Sequence, residues 1–348
     1  MTRILVLLGL LIGLSACNSG GTNPFIENQA EADGTAGTTD TTTDTGAPIS
    51  SDRTLLPGTV NPNSDDTIFR TEARSSDGSD NGNGFAEDFE YDSATDTFTV
   101  GNLAFDGEGP YTRVLNPSGQ NLGIGPFSVF EAQATAVDGL TSSNINQLVY
   151  RALYAIGPDG ETSIAIVRSG AFINFGFGGY IYQRNGSVVL PETGQAIYNG
   201  TANYGGLRDF EGQGGIEYVT GDMFVQIDFN DFNEGAGVVG VVSNRRVYDM
   251  DQNDITANLL PGLGGGTQLP PLRFKIEPGV LDANGELTGT IESVNTNDGE
   301  VFETGQYFAV LSGPNARNIT GIVVVTGEDP RDDQVTFRET AGFFATRQ

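Results

Sequence analysis

From residue 85 to the end, the sequence consists of short runs of β-branched and aromatic residues that are interrupted by Gly, Asn and Asp. This texture is typical of consecutive β-strands joined by turns. Within 223–230, Val225, Ile227 and Phe229 fall on one face of a strand while polar residues fall on the other, and 287–292 repeat the alternation. The pattern predicts strands with one buried and one solvated face, and no segment shows a convincing amphipathic helix.

Four turn motifs separate these runs. The sequence Gly-Pro-Asp-Gly-Glu at 157–161 predicts a hairpin over 148–168, because Pro and Gly favour the dihedral angles of a turn. The dipeptides Asn185-Gly186, Gly221-Asp222 and Asn284-Gly285 also lie at the ends of apolar runs and predict further turns. Consecutive hairpins indicate an antiparallel meander.

Many short antiparallel strands with one buried face favour a closed barrel, since closure removes exposed strand edges and glycines permit tight coiling. The predicted fold class is therefore all-β, with an antiparallel soluble barrel of about eight strands whose interior is filled or narrow. A transmembrane barrel is the rival interpretation. The short strands, the acidic loops and the absence of an aromatic residue at Arg347-Gln348 argue against it.

The N-terminus carries the pattern of a bacterial lipoprotein signal. Arg3 precedes an apolar segment, small Ser15 and Ala16 follow it, and Cys17 is the only cysteine of the chain. Cleavage after residue 16 leaves a thiol that takes a diacylglycerol and an amine that takes a further acyl chain such as palmitate, and several chains form a stable anchor. An ordinary secretory signal is the alternative. Asn18 in the second position favours sorting to the outer membrane.

Between the anchor and the strands, residues 17–84 are rich in Gly, Thr, Ser and Asp and poor in apolar residues. Such a composition predicts a disordered tether, within which Leu55, Leu56, Ile68 and Phe69 are candidates for local docking. The acidic tract 77–84 has enough oxygen atoms to bind calcium, but a linker needs no metal and the bidentate Glu of an EF-hand loop is missing.

The composition excludes several functions. The formal charge of −28 repels phosphate backbones, so nucleic acid is not an expected partner. Histidine and tryptophan are absent, which removes the usual proton carrier near neutral pH and the commonest metal and haem ligand. We expect no enzyme, no cofactor, no metal and no catalytic residue; Cys17, the lipidation site, is the one predicted site residue.

Several side-chain groups have a structural and a functional interpretation. The acidic loop 249–254 resembles the start of a calcium loop, but Asp254 stands where glycine belongs. Arg245-Arg246 has two interpretations: the pair binds an anion, or, as we favour, each arginine pairs with acidic residues of neighbouring strands. Asp228 and Asp231 are a carboxylate pair of the kind that glycosidases use, with little weight in so acidic a chain. The densest aromatic group either lines a ligand site or belongs to the core. Its members are Phe172, Phe175, Phe177, Tyr180 and Tyr182.

Several segments of the last 155 residues carry a family resemblance. Leu-Ser-Gly-Pro-Asn-Ala at 311–316, followed by Gly321 and by Ala-Gly-Phe-Phe-Ala-Thr-Arg at 341–347, resembles the closing strands of the transferrin-binding protein B barrel and of related single-barrel surface lipoproteins of Gram-negative bacteria. Residues 194–202 resemble the first strand of that barrel. Residues 228–229 and 238–240 resemble a later hairpin.

The resemblance implies a barrel on a surface lipoprotein, with residues of architectural and not catalytic use. Transferrin-binding protein B has two lobes and this chain has one barrel, so transferrin itself is not the expected ligand. The predicted domains are a signal peptide at 1–16, a tether at 17–84, a β-rich handle at 85–190 and the barrel at 191–348.

We expect an outer-membrane lipoprotein that docks a protein partner without catalysis, in nutrient or solute capture. A lipocalin-like carrier of a small apolar molecule and a structural envelope lipoprotein are the alternatives. The sequence leaves open whether the barrel lies on the cell surface or on the periplasmic face.

Overall fold

The computed structural model describes residues 50–51, 67–73, 84–107, 109–170, 174–230, 237–276, 280–282, 284–295 and 297–348. Two large sheets and a small two-stranded ribbon contain nearly all of the regular structure in these residues. The strands of the first half are β1 (Ser50–Ser51), β2 (Thr67–Thr71), β3 (Glu87–Asp92), β4 (Thr97–Gly101), β5 (Tyr111–Arg113), β6 (Gly123–Ile124), β7 (Phe127–Glu131), β8 (Thr135–Val137), β9 (Asn144–Asn146), β10 (Tyr150–Ile156), β11 (Thr162–Ser169) and β12 (Gly178–Asn185).

The second half contains the longer strands. They are β13 (Val188–Val189), β14 (Gln195–Phe210), β15 (Gln213–Asp228), β16 (Val238–Tyr248), β17 (Leu272–Phe274), β18 (Glu286–Val294), β19 (Val301–Pro314), β20 (Asn318–Asp329) and β21 (Asp332–Arg347). A four-residue helix, α1 (Thr256–Leu259), and a 3-10 turn (Leu260–Leu263) lie between β16 and β17. Among the described residues, no helix has the length and apolar character needed to cross a membrane.

The first sheet, which we call the handle sheet, has the strand order β1-β3-β4-β5-β7-β10-β11-β12-β2, and β6 pairs with β7. Its apolar face packs aromatic rings into one core, where Phe98 stacks on Phe130 with 5.6 Å between centroids and lies 5.4 Å from Tyr154. The predicted hairpin over 148–168 is confirmed as β10 and β11. Gly160 in its turn has a φ of +72°, which glycine adopts without strain.

The tether prediction differs from the structure at two places, and the first is residues 50–51, which form β1 and pair in parallel with β3. Residues 67–71, predicted within the disordered tether, form β2 at the edge of the handle sheet, where Phe69 packs against the handle core. Ile68 and Phe69 are among the residues for which the sequence predicts local docking. Pairing with β12 supplies hydrogen bonds to the backbone amides and carbonyls of this short segment. The domain boundaries otherwise stay a prediction, as do the signal peptide and the remaining tether, which lie almost entirely outside the described residues.

The second sheet is a closed antiparallel barrel of eight strands, β14 to β21 in sequence order, because β21 pairs with both β20 and β14. This confirms the predicted fold class and the predicted meander. The Gly-Pro-Asn-Ala turn at 313–316 joins β19 and β20, and buried Ala316 accepts a hydrogen bond on its carbonyl oxygen from the Tyr198 hydroxyl at 2.6 Å. Residues 341–347 belong to the closing strand, as the sequence resemblance implies.

Two predicted hairpin turns are wrong. Gly221-Asp222 lies inside the continuous strand β15, at a shift in its register with β16, and the turn falls ten residues earlier, at Gly212. After Asn185-Gly186 the chain does not fold back on β12. Instead β13 pairs in parallel with the end of β19, because Arg184 donates hydrogen bonds to the carbonyls of both Gly186 and Leu311 and so holds this corner on the barrel. The turn at Asn284-Gly285 is confirmed.

Large side chains fill the barrel interior. Val225, Ile227 and Phe229 are all buried, as the alternation predicts. The rings of Phe274 on β17 and Tyr307 on β19, the two strands that flank β18, stack with 3.7 Å between centroids. The interior is therefore a packed core with the density that such a core requires.

A charged belt crosses the interior near one end of the barrel. Arg245 donates to both oxygens of Glu303 at 2.6 and 2.7 Å and to Glu339 at 2.7 Å, while Arg208 donates to Glu339 at 3.2 Å. The hydroxyl of Tyr204 donates to the second oxygen of Glu339 at 2.6 Å. Two buried arginines thus face two buried glutamates, which balances the charge of the belt, although Nε of both arginines and one terminal nitrogen of Arg208 have no hydrogen-bond partner among the described residues.

The pKa of Glu339 follows from this arrangement. Burial raises the pKa of the carboxyl, but Arg245 and Arg208, with the hydrogen bond from Tyr204, outweigh it and hold the pKa below its usual value. Burial lowers the pKa of Arg245, and Glu303 and Glu339 more than reverse this, so the guanidinium stays charged.

The handle sheet packs on the outer face of the barrel at the seam between β14 and β21. Gly205 and Gly342 are direct partners across this seam. A Cβ on Gly342 would lie 2.6 Å from the Phe127 ring and 3.0 Å from Ile164, both of the handle sheet, and a Cβ on Gly205 would lie 2.4 Å from the Ile124 carbonyl. The paired glycines therefore form the depression into which the handle sheet inserts.

We expect Gly342→Ala to weaken the joint, because the new methyl group overlaps Phe127 and Ile164. The expected loss is about 1–3 kcal/mol of the free energy of unfolding, which urea denaturation measures. Gly123→Ala is the control, since its Cβ meets only an ordinary contact of 3.6 Å. Equal stability of the two variants would contradict the close packing of the seam.

We expect Glu339→Gln to lower the free energy of unfolding by about 3 kcal/mol at pH 7, because it leaves buried guanidinium charge without its counterion. The folded pKa of Glu339 lies below its unfolded value of about 4.3, so its contribution is complete above that pH and is lost as the pH falls through the folded pKa. The free energies of unfolding of the wild-type protein and of Glu339→Gln, measured by urea titration, should therefore converge at acid pH. A difference that persists unchanged at low pH would refute the assignment.

Candidate functional site

The two-stranded ribbon of β8 and β9 stands out from the handle sheet. It continues the β7–β10 pair, since the Ala132 amide donates to the Tyr150 carbonyl at 3.3 Å and the Gln147 amide donates to the Ala134 carbonyl at 2.9 Å. Its strands pair only with each other among the described residues. The ribbon is thus an outgrowth of the hairpin and not part of either large sheet.

The ribbon exposes apolar side chains on both faces and at its tip. Val137 is 68% exposed, Leu140 95% and Ile145 44%. Residue pairing places Val137 opposite Asn144 and Ile145 opposite Ala136, so Val137 and Ile145 point to opposite faces. A two-stranded ribbon with no buried face is marginal in water, and exposed apolar residues grouped in this way are typical of an interaction site.

Hydrogen bonds shape the tip. The carboxylate of Asp138 accepts from the amides of Leu140 and Thr141 at 3.3 and 2.9 Å and from the Thr141 hydroxyl. These bonds, with that of the hydroxyl first, hold the pKa of Asp138 below its usual value. The turn that carries Leu140 is therefore formed before any partner arrives.

Phe105 lies beside the base of the ribbon and is 64% exposed. Its φ of +57° is unfavourable for a bulky side chain, and such strain persists only where neighbouring groups enforce it. Its carbonyl accepts from the Leu148 amide at 2.9 Å, and the Tyr150 hydroxyl donates to the preceding Ala104 carbonyl at 2.8 Å. Two hydrogen bonds, to the carbonyls of Ala104 and Phe105, thus hold the backbone in the conformation that exposes the Phe105 ring.

The groups that hold Phe105 remain in one protonation state. The hydroxyl of buried Tyr111 donates to the Asp106 carboxylate at 3.3 Å. Burial, reinforced by the charge of Asp106, raises the pKa of Tyr111 and of Tyr150 above the usual value. Both phenols therefore keep their protons and remain donors at all physiological pH values.

We define the docking face as residues 132–149 together with Phe105. Residues 132–149 contain a single charged side chain, Asp138, in a chain with a formal charge of −28. Val149, half exposed, continues the apolar surface toward the handle sheet. A partner that meets this segment therefore avoids most of the repulsion and desolvation that an acidic surface imposes.

The residues singled out from the sequence do not form one site. Cys17, the predicted lipidation site, lies outside the described residues, as does the acidic tract except for Gly84. Asp231 and Phe172 are also outside them. Asp228 is partly exposed and accepts hydrogen bonds from the Gln195 side chain and from the Asn230 amide of its own turn.

The remaining candidates have structural explanations. Arg245 is buried in the charged belt, and Arg246 outside the barrel pairs with Asp254 at 2.7 Å, so the favoured pairing with acids is the one observed. In the acidic loop, Asp249 accepts from the Asn253 amide at 2.8 Å, which makes the loop a hydrogen-bonded turn. Within the part of the chain that the structure describes, no group of three or more acidic side chains could hold a metal ion.

The aromatic group is core. Tyr180 and Tyr182 are buried, the Phe177 ring packs against Phe85 at 5.3 Å, and Arg338 lies 4.7 Å above the ring of Phe175. Sequence reasoning missed the docking face instead. The sequence feature that could have indicated it is the stretch 132–149, which has a single charged residue in a chain where acids are otherwise frequent. This stretch includes Val137, Leu140 and Ile145.

No protein-family model matches the chain, and no curated protein matches it. The solved structures to which it is similar include a double mutant of Transferrin Binding Protein B from Haemophilus parasuis Hp5, at 13% identity and a TM-score of 0.35, over 74% of this chain and 44% of that one. They also include isotype 1 Transferrin Binding Protein B from serogroup B Neisseria meningitidis, at 10% identity and a TM-score of 0.30, over 72% and 41%.

A further match is a structure titled as a surface lipoprotein, at 13% identity and a TM-score of 0.28, over 54% of this chain and 76% of that one. The chain thus spans less than half the length of the transferrin-binding proteins it matches. The family named by the sequence resemblance is found again among these structures. TM-scores below 0.5 carry no argument about activity or ligand.

We expect Tyr150→Phe to loosen the Phe105 loop without unfolding the handle, because it removes the donor to the Ala104 carbonyl and leaves the ring in place. The lost hydrogen bond is worth about 1 kcal/mol. Hydrogen exchange of the amides at 103–107 should accelerate about fivefold. Tyr91→Phe, which removes a bond to Asp96 elsewhere in the handle, is the matched control and should leave these amides unchanged. Unaltered exchange in Tyr150→Phe would contradict the proposed support.

Proposed function

We propose that the protein is an outer-membrane lipoprotein, anchored through Cys17, that docks a protein partner through the docking face and performs no catalysis. The observation that carries the proposal is the exposure of Phe105 and Leu140, in turns held by hydrogen bonds, at a sparsely charged part of a strongly acidic chain. Apolar and aromatic residues that are held in position before binding are typical of the anchors of protein interfaces.

The chemistry of the chain supports a role in binding. It contains no histidine, and its single thiol is the one that the anchor uses. The arginines and glutamates inside the barrel neutralise one another: Arg245 donates to Glu303 and Glu339, and Arg208 donates to Glu339. Capture of a nutrient-bearing or solute-bearing protein is the process that we propose, following the sequence resemblance of the barrel.

A small-molecule carrier is less well supported. The interior of the barrel, where a lipocalin-like carrier holds its ligand, contains the stacked rings of Phe274 and Tyr307 and, near one end, the charged belt. No specific observation favours a purely structural role in the envelope.

We expect Cys17→Ser to move the protein from the membrane fraction to the soluble fraction, because the thiol carries the acyl chains in the proposed anchor. Fractionation of cells followed by immunoblotting measures this. A variant that stays in the membrane fraction would contradict lipid anchoring through Cys17.

We expect Phe105→Ser with Leu140→Ser to reduce recovery of the partner at least tenfold in a crosslinking pull-down from intact cells, since hot-spot residues each contribute about 2 kcal/mol or more. The matched control is Val189→Ser with Val301→Ser, which removes exposed apolar residues from the barrel. Recovery that falls equally in both variants, or in neither, would refute the docking face while leaving the anchor untouched.

A further inference from the structure

Strand β2 pairs its main chain with the handle sheet, while side chains on one of its faces reach the barrel. It pairs with β12 from Thr67 to Thr71, more than 100 residues away in sequence. Phe69 points into the handle core, whereas Arg70 and Glu72, on the other face, reach across to the barrel. A single short segment thus contacts both sheets.

Glu72 supplies a counterion to a buried group at the joint. Its carboxylate accepts from both terminal nitrogens of Arg168 at 2.7 and 3.1 Å and lies 3.8 Å from Arg338 of the barrel. Arg338 in turn pairs with Asp209 at 2.8 Å, and Arg168 also donates to the Thr340 hydroxyl at 2.7 Å. The side chains of the two arginines are no more than 5% exposed.

The charge balance at the joint depends on β2. Burial lowers the pKa of Arg168, and Glu72 together with Asp209 more than offsets this, so the pKa is held above its usual value. Without Glu72, two buried guanidinium groups would share the one carboxylate of Asp209, which is unfavourable in a site closed to water. Removal of β2 therefore weakens the joint between the handle sheet and the barrel.

Arg70, two residues before Glu72, also forms an ion pair, and its partner belongs to the barrel. Arg70 donates to both oxygens of Glu286, on barrel strand β18, at 3.0 and 2.7 Å. The fork of a guanidinium on a carboxylate is the most directional ion pair available to proteins. Arg70 and Glu72, which both follow Phe69, thus pair with opposite charges: Arg70 with Glu286 of the barrel, and Glu72 with Arg168 of the handle sheet and Arg338 of the barrel.

We propose that the edge of β12, together with Arg168, Arg338 and Glu286, is a strand-acceptor site, and that residues 67–72 fill it in cis and lock the handle sheet onto the barrel. The site accepts an extended peptide in which an aromatic residue is followed directly by arginine and, two residues later, by glutamate. Main-chain bonds to β12 supply affinity, and the three side chains supply specificity. The last described part of the tether is then a clamp that sets the orientation of the docking face.

The first test measures how rigidly the handle sheet is held on the barrel, in the full chain carrying Cys17→Ser. Spin labels at Ser118→Cys in the handle and Glu300→Cys on the barrel report one distance. Glu72→Gln should at least double the width of its distribution and accelerate exchange of the 180–184 amides about tenfold, with the barrel amides unchanged. Asp96→Asn, which breaks the Arg113–Asp96 pair inside the handle, is the matched control and should alter neither quantity. A distribution that stays narrow, or equal loss of protection throughout the chain, would overturn the clamp.

The second test adds the strand in trans. A synthetic peptide of residues 66–73 is added to a full-length chain whose own strand is weakened by Phe69→Ser and Glu72→Gln. Under the proposal the peptide restores slow exchange at 180–184 and the narrow distance distribution, and the same peptide with Glu72→Gln does so at least tenfold less well. Failure of the wild-type peptide to restore either quantity, or equal action of both peptides, would overturn the acceptor site.

Discussion

The close approach of Gly205 and Gly342 across the closing seam of the barrel is the contact on which the rest of the structure depends. The two strands that carry them, β14 and β21, convert an open sheet into a barrel without edges. Because both residues lack a Cβ, the same seam has a depression on its outer face, and Phe127 and Ile164 occupy it. Barrel closure and handle docking thus use one pair of residues, and the position of the docking face follows from them.

Acidic composition shapes the remainder of the molecule. A chain with a formal charge of −28 has few cations, and it places several of them inside: Arg168, Arg208 and Arg245 are fully buried or nearly so. Each is matched by buried carboxylates, an arrangement that adds less stability than apolar packing but penalises every other register of the strands. Burial of the arginines leaves the acids to dominate the surface, so the ribbon, with Asp138 as its one charged residue, is a sparsely charged segment on an acidic molecule.

The sequence predicts the fold well because alternation and turn chemistry are local. The buried face of β15 follows from Val225, Ile227 and Phe229, and Gly313-Pro314 ends β19 as expected. Gly221 misled the prediction, because a glycine that relieves a register shift between strands has the same local sequence as a glycine in a turn.

The parts that escaped prediction depend on partners distant in sequence. Nothing near Glu72 indicates that it lies on Arg168, and nothing near Arg245 indicates Glu303. The docking face was missed for another reason: exposure of Leu140 is a property of the finished fold, and its side chain is as apolar as any in the core. Periodicity identifies which residues are apolar and regular but not which of them the fold leaves uncovered.

The central claim is that the docking face, and not the barrel, meets a protein partner in the cell. Photo-crosslinking in living cells tests it most directly, with a photoreactive residue placed singly at Leu140, at Phe105 or, on the barrel, at Val301. The structure predicts one crosslinked species of the same mass from Leu140 and Phe105, and none from Val301. The same species from Val301 alone, or from all three positions equally, would contradict the claim.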